Sequence, residues 1–187
     1  MQSELTTSPN LPAALRAARV HEAGGRGAWA YALWQAGQQR GVLCWVHARS
    51  QPLNLASAEL PKGLHDRLIF IEAGSEEDLL WSTEEALRAA PVGLVIAQPQ
   101  KPLSLTIGRR LQLAAEAGQT TGLLLIREGQ GSNAAETRWQ CDALAGEADS
   151  TLHHWQLIKN KMGTLGDWVV NWDGKTPACH MVSEVRE

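Results

Sequence analysis

Three glycines stand close together before a helical pattern, and such an arrangement can bind phosphate. They are Gly24, Gly25 and Gly27, and helical periodicity follows over residues 28–37. A glycine-rich turn that leads into a helix presents backbone N–H groups and the positive end of the helix dipole to an anion. In an α/β protein this is the usual position of a phosphate-binding loop.

The residue types around these glycines differ from those of a working nucleoside triphosphate loop. The P-loop pattern is GxxxxGK[ST], in which the lysine reaches the phosphates and the hydroxyl group binds Mg²⁺. If Gly27 is the second glycine, Glu22 stands where the first should be. Ala28 then replaces the lysine and Trp29 replaces Ser or Thr. We therefore predict a degenerate nucleotide loop made of Glu22, Gly24, Gly25, Arg26, Gly27, Ala28 and Trp29.

Histidine and cysteine side chains offer two further kinds of chemistry, and the sequence argues against both. The pairs at 153–154 and 179–180 could bind zinc, but their spacing is not that of a compact zinc module. His47 with Cys44 or Asp66 could form a hydrolytic pair, but no residue stands on a strained turn of the GxSxG kind. The three cysteines form no CxxC pair, which favours reduced thiols. We expect no catalytic residue, no metal and no cofactor.

Four basic residues are the candidates for contacts with DNA or a partner protein. They are Arg127, Arg138, Lys159 and Lys161. Arg127 begins a polar loop at the end of an apolar strand pattern, where open α/β sheets place binding surfaces. The two lysines follow Trp155 at even spacing, so a regular strand would put basic and aromatic side chains on one face. The alternative is ordinary solvated surface charge.

The elements that must position these residues are organised around residues 68–126. Apolar runs at 68–71, 94–97 and 123–126 alternate with two amphipathic helical patterns, at 75–90 and from Ser104 or Thr106 to Gly118. The order strand, helix, strand, helix, strand predicts a parallel sheet with covering helices. The three runs show no alternation of polar and apolar residues, so we expect each strand to be buried on both faces.

The remaining segments extend this unit at both ends. An apolar run at 42–46 predicts another buried strand, and alternating patterns at 137–142, 152–162 and 168–172 predict an antiparallel meander. We expect a flexible segment with a short helix over residues 1–19, a core domain over 20–175, and a tail over 176–187.

Composition and charge exclude several classes of protein. The chain has 187 residues, 44% of them hydrophobic, which fits one buried core. A net charge of −3 gives no overall basic field for nucleic acid. No apolar run approaches the ~20 residues of a membrane helix, and residues 1–10 lack the apolar centre of a signal peptide. These features favour a soluble cytoplasmic protein.

The layout resembles the ATPase core of bacterial RecA recombinases, most closely over residues 67–98. Within that relationship the chain is similar to ImuA-type proteins, the RecA-like accessory factors of bacterial mutasomes. The residues that carry the similarity are Asp78-Leu79-Leu80-Trp81, Glu84-Glu85-Ala86-Leu87-Arg88, Arg109-Arg110-Leu111-Gln112-Leu113-Ala114-Ala115-Glu116, Glu136-Thr137-Arg138-Trp139 and the segment 168–173. The resemblance covers residues 20–173 and implies a RecA-like sheet flanked by helices.

The chain departs from RecA at every part of the phosphoryl-transfer machinery. The phosphate loop is degenerate, and Gln98 stands where the resemblance implies an aspartate of the magnesium shell. At the end of the 42–46 strand, where that family has a glutamate that activates water, this chain has His47, Ala48 and Arg49. The resemblance therefore implies a pseudo-ATPase that retains the fold as a scaffold.

By resemblance, the protein is a mutasome adaptor that supports DNA-damage-induced translesion synthesis as part of the SOS response. Its implied partners are an inactive Y-family polymerase homologue, an error-prone polymerase subunit and RecA. Single-stranded DNA and further copies of the chain are two other candidate partners. Two alternatives stay open. One is a SulA-like cell division inhibitor, which would bind a tubulin-like polymer. The other is an ATPase with residual nucleotide binding.

Overall fold

The computed structural model describes residues 12, 14–51, 60–61, 63–145, 151–176 and 178–184. These residues contain the helices α1 (Ala28–Gln38), α2 (Glu76–Arg88) and α3 (Leu105–Gly118), with a short 3-10 turn at His65–Arg67. The strands are β1 (Val20–Gly24), β2 (Val42–Ala48), β3 (Leu68–Ala73), β4 (Val92–Ala97), β5 (Thr121–Leu125), β6 (Thr137–Ala143), β7 (Leu152–Asn160), β8 (Gly166–Asn171) and β9 (His180–Glu184).

All these strands belong to one sheet, in the order β3-β2-β4-β5-β1-β6-β7-β8-β9. The pairs from β3 to β6 are parallel, and those from β6 to β9 are antiparallel. The predicted α/β class, with a mostly parallel sheet and a C-terminal antiparallel meander, is confirmed. β1 lies between β5 and β6, so the glycines that follow it stand at the middle of the sheet.

Helices cover the sheet on both faces and form two separate cores. α1 packs on one face, where Tyr31 and Trp34 meet Trp45, Trp139 and Trp155 in one cluster of buried side chains, called the α1 core. α2 and α3 lie on the other face over the aliphatic side chains of β2, β4 and β5. Tyr31 lies 5.0 Å from Trp139 and 5.2 Å from Trp155 between ring centroids, so aromatic contacts tie α1 to the meander.

The boundaries of the two helices on the second face follow from local chemistry. Ser75 and Ser104 cap α2 and α3, since each hydroxyl accepts a hydrogen bond from the backbone N–H three residues on. Gly118 is the last residue of α3, and a Cβ there would lie 2.0 Å from the backbone O of Leu87. The glycine therefore permits close approach of the helices, while Gln119 takes the left-handed conformation that ends α3.

The burial expected for the 68–71 run is wrong. This run forms part of β3, which is the edge strand of the sheet, and Ile69 and Phe70 are 51% and 46% exposed. An apolar run without alternation is typical of a parallel strand, but it does not distinguish a central strand from an edge strand. The runs at 94–97 and 123–126 lie inside the sheet and their strands are buried as predicted.

The segment before β1 also differs from the expectation of a short helix at 11–19. Residues 12 and 14–19, the part that the structure describes, contain no helix, and Ala18 has a φ of 57°. Leu15 is buried in the α1 core, and the backbone O of Arg16 lies 3.0 Å from Nε2 of His21. Tertiary contacts with β1 therefore override the weak helical pattern, and the flexible segment predicted for 1–10 lies outside the described residues.

The expected tail over residues 176–187 contains a strand. Residues 180–184 form β9, which pairs antiparallel with β8, and Cys179 is buried in the α1 core. The edge of β8 offers unpaired backbone groups that this segment satisfies. The sequence did not indicate this strand, because five residues are too few to show a clear alternation of polar and apolar side chains.

Candidate functional site at the carboxyl edge of the sheet

The glycine loop after β1 is packed tightly against β6. The N–H of Gly27 donates to the backbone O of Cys141 at 2.8 Å, and the N–H of Arg26 donates to Oδ1 of Asp142 at 3.4 Å. Gly25 has a φ of +92°, and a Cβ there would lie 2.2 Å from the Cys141 oxygen. The amides that a phosphate loop would offer to a ligand are therefore partly engaged by acceptors of the protein itself, including a carboxylate.

Glu22 lies on β1 and not in the loop. Its side chain is fully buried, accepts a hydrogen bond from the N–H of Ser132 at 2.7 Å and pairs with Nε of Arg138 at 2.8 Å. Its carboxylate therefore anchors the segment before β6, and does not fill a phosphate position. In the sequence Glu22 and Arg138 are 116 residues apart, so no local pattern indicates this contact.

A cleft, called the edge cleft, opens where the carboxyl ends of β1, β4 and β5 meet. It has a volume of about 190 Å³. Gly25, Trp29, Gln98, Gln100 and Arg127 are among its lining residues. Trp29 also packs on Trp45, with 4.8 Å between ring centroids. The lining combines an aromatic ring, carboxamides and one guanidinium group, and among its described residues it has no carboxylate to bind Mg²⁺.

The residues that follow the 42–46 run make local contacts. His47 is buried, and its Nδ1 lies 3.2 Å from the backbone O of Ala48. Arg49 pairs with Glu72 at 2.8 Å on the surface. Burial raises the pKa of the Cys44 thiol, which is the opposite of what a nucleophile needs. The Cys44 thiol is therefore not activated as a nucleophile, which agrees with the argument from the sequence against a hydrolytic pair of His47 with Cys44.

Three of the four candidate basic residues are engaged within the protein. Arg138 holds Glu22 and donates to the backbone O of Ser132. Lys159 donates to the backbone O of Asn133 and of Ala135, each at 2.9 Å, and Lys161 donates to that of Ala134 at 2.6 Å. These cations fix the segment 132–135, and their role in DNA contact stays a prediction.

The pKa of the Lys159 ammonium group is lowered by burial, and then by the neighbouring Arg138 charge. Glu22, whose charge raises that pKa, offsets part of the effect. The group is therefore part of a dense cluster of charges and not a freely solvated lysine.

The lysines do not share a face with Trp155 and Leu157, so that expectation is wrong. The pairing of β6 with β7 shifts register between Arg138 and Trp139, with Trp139 opposite Leu157 and Arg138 opposite Lys159. The shift leaves Ile158 as an extra residue, and such a bulge reverses the alternation of side chains beyond it. Trp155 and Leu157 face the α1 core, whereas Lys159 reaches the segment 132–135 near Glu22.

Arg127 is the candidate cation that remains available. It stands at the junction of the edge cleft and a second cleft of about 210 Å³, and it lines both. Its side chain has no hydrogen bond or ion pair within the described part of the chain. The second cleft runs along Gly129 and Gly131 to Arg138 and Ile158. One free guanidinium group between two clefts can hold a phosphate or a carboxylate.

The two residue pairs considered for zinc, at 153–154 and 179–180, make other contacts. His153 stacks beside Trp155, with 5.7 Å between ring centroids, and burial lowers its pKa. The next residue, His154, faces the opposite side of β7, where its Nε2 lies 2.5 Å from Oδ1 of Asp167. Among the described residues there is no group of three or more His, Cys, Asp or Glu side chains that could hold a metal ion.

No protein-family model matches the chain, and no curated protein matches it. Within the described ranges, the helices are all too short or too polar to cross a membrane.

Proposed function

We propose that this protein is a non-catalytic, RecA-like adaptor of the ImuA type, which supports DNA-damage-induced translesion synthesis in a bacterial mutasome. The observation that carries the proposal is the glycine loop between β1 and α1, at the carboxyl end of a central strand. That is the position of a phosphate loop in nucleotide-binding α/β proteins. The loop nevertheless donates from Arg26 and Gly27 to the protein's own acceptors.

The lining of the edge cleft supports the absence of phosphoryl transfer. Ala28 and Trp29 occupy the positions at which a lysine and a hydroxyl residue would act, and Gln98 replaces an acidic ligand of Mg²⁺. The volume of about 190 Å³ is also below the range of roughly 300–1,000 Å³ typical of small-molecule sites. The protein therefore acts by binding alone.

The partners follow from the resemblance of the sequence. They are an inactive Y-family polymerase homologue, an error-prone polymerase subunit and RecA, with single-stranded DNA as a further ligand at Arg127. The open apolar strand β3, with Ile69 and Phe70 exposed, supports a role that depends on protein contacts. Self-association through such surfaces belongs to the same proposal.

Thermal unfolding in the presence and absence of Mg-ATP tests the pseudo-ATPase part. Ligand at 100 times its dissociation constant stabilises a protein by about 2.7 kcal/mol. We expect no shift of the midpoint for the wild-type protein at millimolar Mg-ATP. A clear stabilisation would favour the alternative of residual nucleotide binding.

Pull-down with purified partners separates the adaptor from the SulA-like alternative. We expect immobilised protein to retain the polymerase homologue or RecA and not the tubulin-like division protein. Retention of the division protein alone would overturn the proposed function, and denatured adaptor on the same support is the control for nonspecific capture.

A further inference from the structure

A groove between α2 and α3 is larger than the two clefts at the carboxyl edge of the sheet. Its volume of about 430 Å³ is more than twice that of either cleft. The apolar side chains that line it are Leu80 and Trp81 from α2, and Ile107 and Leu111 from α3. We call it the α2–α3 groove. A lining of this size and composition can receive one or two large apolar side chains of another molecule.

Trp81 distinguishes this groove from the rest of the surface. The eight tryptophans all fall within the described part of the chain, and Trp81 alone is exposed, with 62% of its surface accessible. The other seven are buried or half-buried in the α1 core or against it. An exposed indole carries a large apolar area that gains free energy when a partner covers it, and tryptophan is enriched among the anchors of protein interfaces.

The side chains beneath the groove hold its shape. Glu84 is only 11% exposed and forms ion pairs with Arg88 at 2.6 Å and with Arg110 at 2.5 Å. The hydrogen bond from Arg88, followed by the one from Arg110, holds the pKa of the Glu84 carboxyl below its usual range. Arg110 and Lys101 are the basic residues of the groove lining. The network joins α2 to α3, and its two guanidinium groups exceed the single Glu84 charge by one. The groove is therefore formed before any partner binds.

Two further carboxylates on α2 have no such partner. Glu77 and Glu85 stand four residues before and after Trp81, which places them beside it on the helix surface. Both are exposed, and neither side chain forms a hydrogen bond or ion pair within the described part of the chain. An exposed aromatic ring between two unpaired negative charges favours a ligand that has both apolar and positively charged groups.

We infer that the α2–α3 groove is a docking site for a basic amphipathic segment of a partner protein. Apolar side chains of the segment fill the space beside Leu80, Trp81 and Ile107. Its lysine or arginine side chains lie over the indole and pair with Glu77 and Glu85. This binding mode resembles the way in which amphipathic helices occupy apolar grooves of other proteins. The inference stands on the geometry of the groove and does not depend on a role in DNA repair.

A pair of matched peptides tests the inference directly. The probes are a fluorescein-labelled amphipathic helical peptide of leucine and lysine, and the same peptide with glutamate in place of lysine. Fluorescence anisotropy is measured on the full chain at low and at moderate salt. We expect saturable binding of the lysine peptide that weakens with salt, and much weaker binding of the glutamate peptide.

Substitutions on the protein locate the binding site. We expect Trp81→Ser to weaken the lysine peptide about tenfold, the size typical for loss of an aromatic anchor. Glu77→Gln with Glu85→Gln should weaken it and reduce its dependence on salt. Leu113→Ser is the matched control, because Leu113 is also 62% exposed on α3 but does not line the groove. Circular dichroism checks that each variant is folded.

Three results would overturn the inference. They are absence of saturable binding of the lysine peptide, equal binding of the two peptides, and equal loss of affinity in Trp81→Ser and Leu113→Ser. These outcomes are distinct from failure of the proposed function. Peptide binding can persist in a protein that binds no repair partner, and repair partners can bind to a protein whose groove takes no basic peptide.

Discussion

The buried pair of Glu22 and Arg138 gives the most detailed prediction about this fold. Glu22 is completely buried, and its two acceptor contacts are with Arg138 and with the N–H of Ser132. Arg138 keeps 24% of its side chain exposed. When one member of a buried ion pair is removed, the other is left without compensation, at a cost of about 3–5 kcal/mol.

The different burial of the two residues predicts an asymmetry between the single variants. Arg138→Met leaves a fully buried carboxylate, so we expect the free energy of unfolding to fall by about 3–5 kcal/mol. Glu22→Leu leaves a guanidinium group that can turn toward water. Its main cost is the unsatisfied N–H of Ser132, at about 1–3 kcal/mol. The double variant should lose much less than the sum, because an apolar pair replaces an ionic one.

Urea denaturation followed by circular dichroism measures these differences, and a double-mutant cycle isolates the interaction of the pair. The control is the surface pair of Arg49 and Glu72, which has the same N to O distance of 2.8 Å but exposed side chains. We expect a coupling energy above about 2 kcal/mol for the buried pair and below about 1 kcal/mol for the surface pair. Additive effects at Glu22 and Arg138 would refute the reasoning.

Two further predictions concern acid stability and DNA. Burial lowers the pKa of His21 to about 4 from 6.5, so the folded protein holds the neutral ring and the unfolded chain binds the proton below pH 6.5. Stability should therefore fall by about 2 kcal/mol between pH 7 and pH 5, and urea denaturation of His21→Gln should show less of this loss. In anisotropy titrations, the affinity for single-stranded DNA should fall as the salt concentration rises. Arg127→Ala should lower the slope of log affinity against log salt concentration by about the contribution of one phosphate contact. Arg109→Ala, an exposed arginine on α3, is the control, and equal effects of the two substitutions would contradict the assignment.

The order of the elements from residue 68 to 126 could be predicted because each one has a sufficiently long apolar pattern. β1 could not be predicted, since His21 and Glu22 are polar and are buried only through contacts with residues such as Thr137 and Arg138. The same limit applies to the bulge at Ile158. A regular strand of the same sequence would have put the two lysines beside Trp155, and only pairing with β6 sets the shift in register.

The candidate site divides in a similar way. The glycine loop, with Ala28 and Trp29 where the P-loop motif has a lysine and a hydroxyl residue, could be read from the sequence because that motif has a fixed spacing. The hydrogen bonds from the N–H groups of Arg26 and Gly27 to β6 could not be predicted, because they join segments more than a hundred residues apart. The exposure of Trp81 could have been found from the sequence, because Trp81 stands four residues from Glu77 and from Glu85 and so shares the polar face of α2 with them.

The most direct test of the adaptor role is a titration of the immobilised protein with the purified inactive Y-family polymerase homologue, with and without Mg-ATP. The proposal predicts saturable binding with the same dissociation constant in both conditions. We expect the glycine loop not to bind the nucleotide, so Mg-ATP cannot favour either the free or the partner-bound form of the protein. Absence of binding, or binding that requires Mg-ATP, would contradict it.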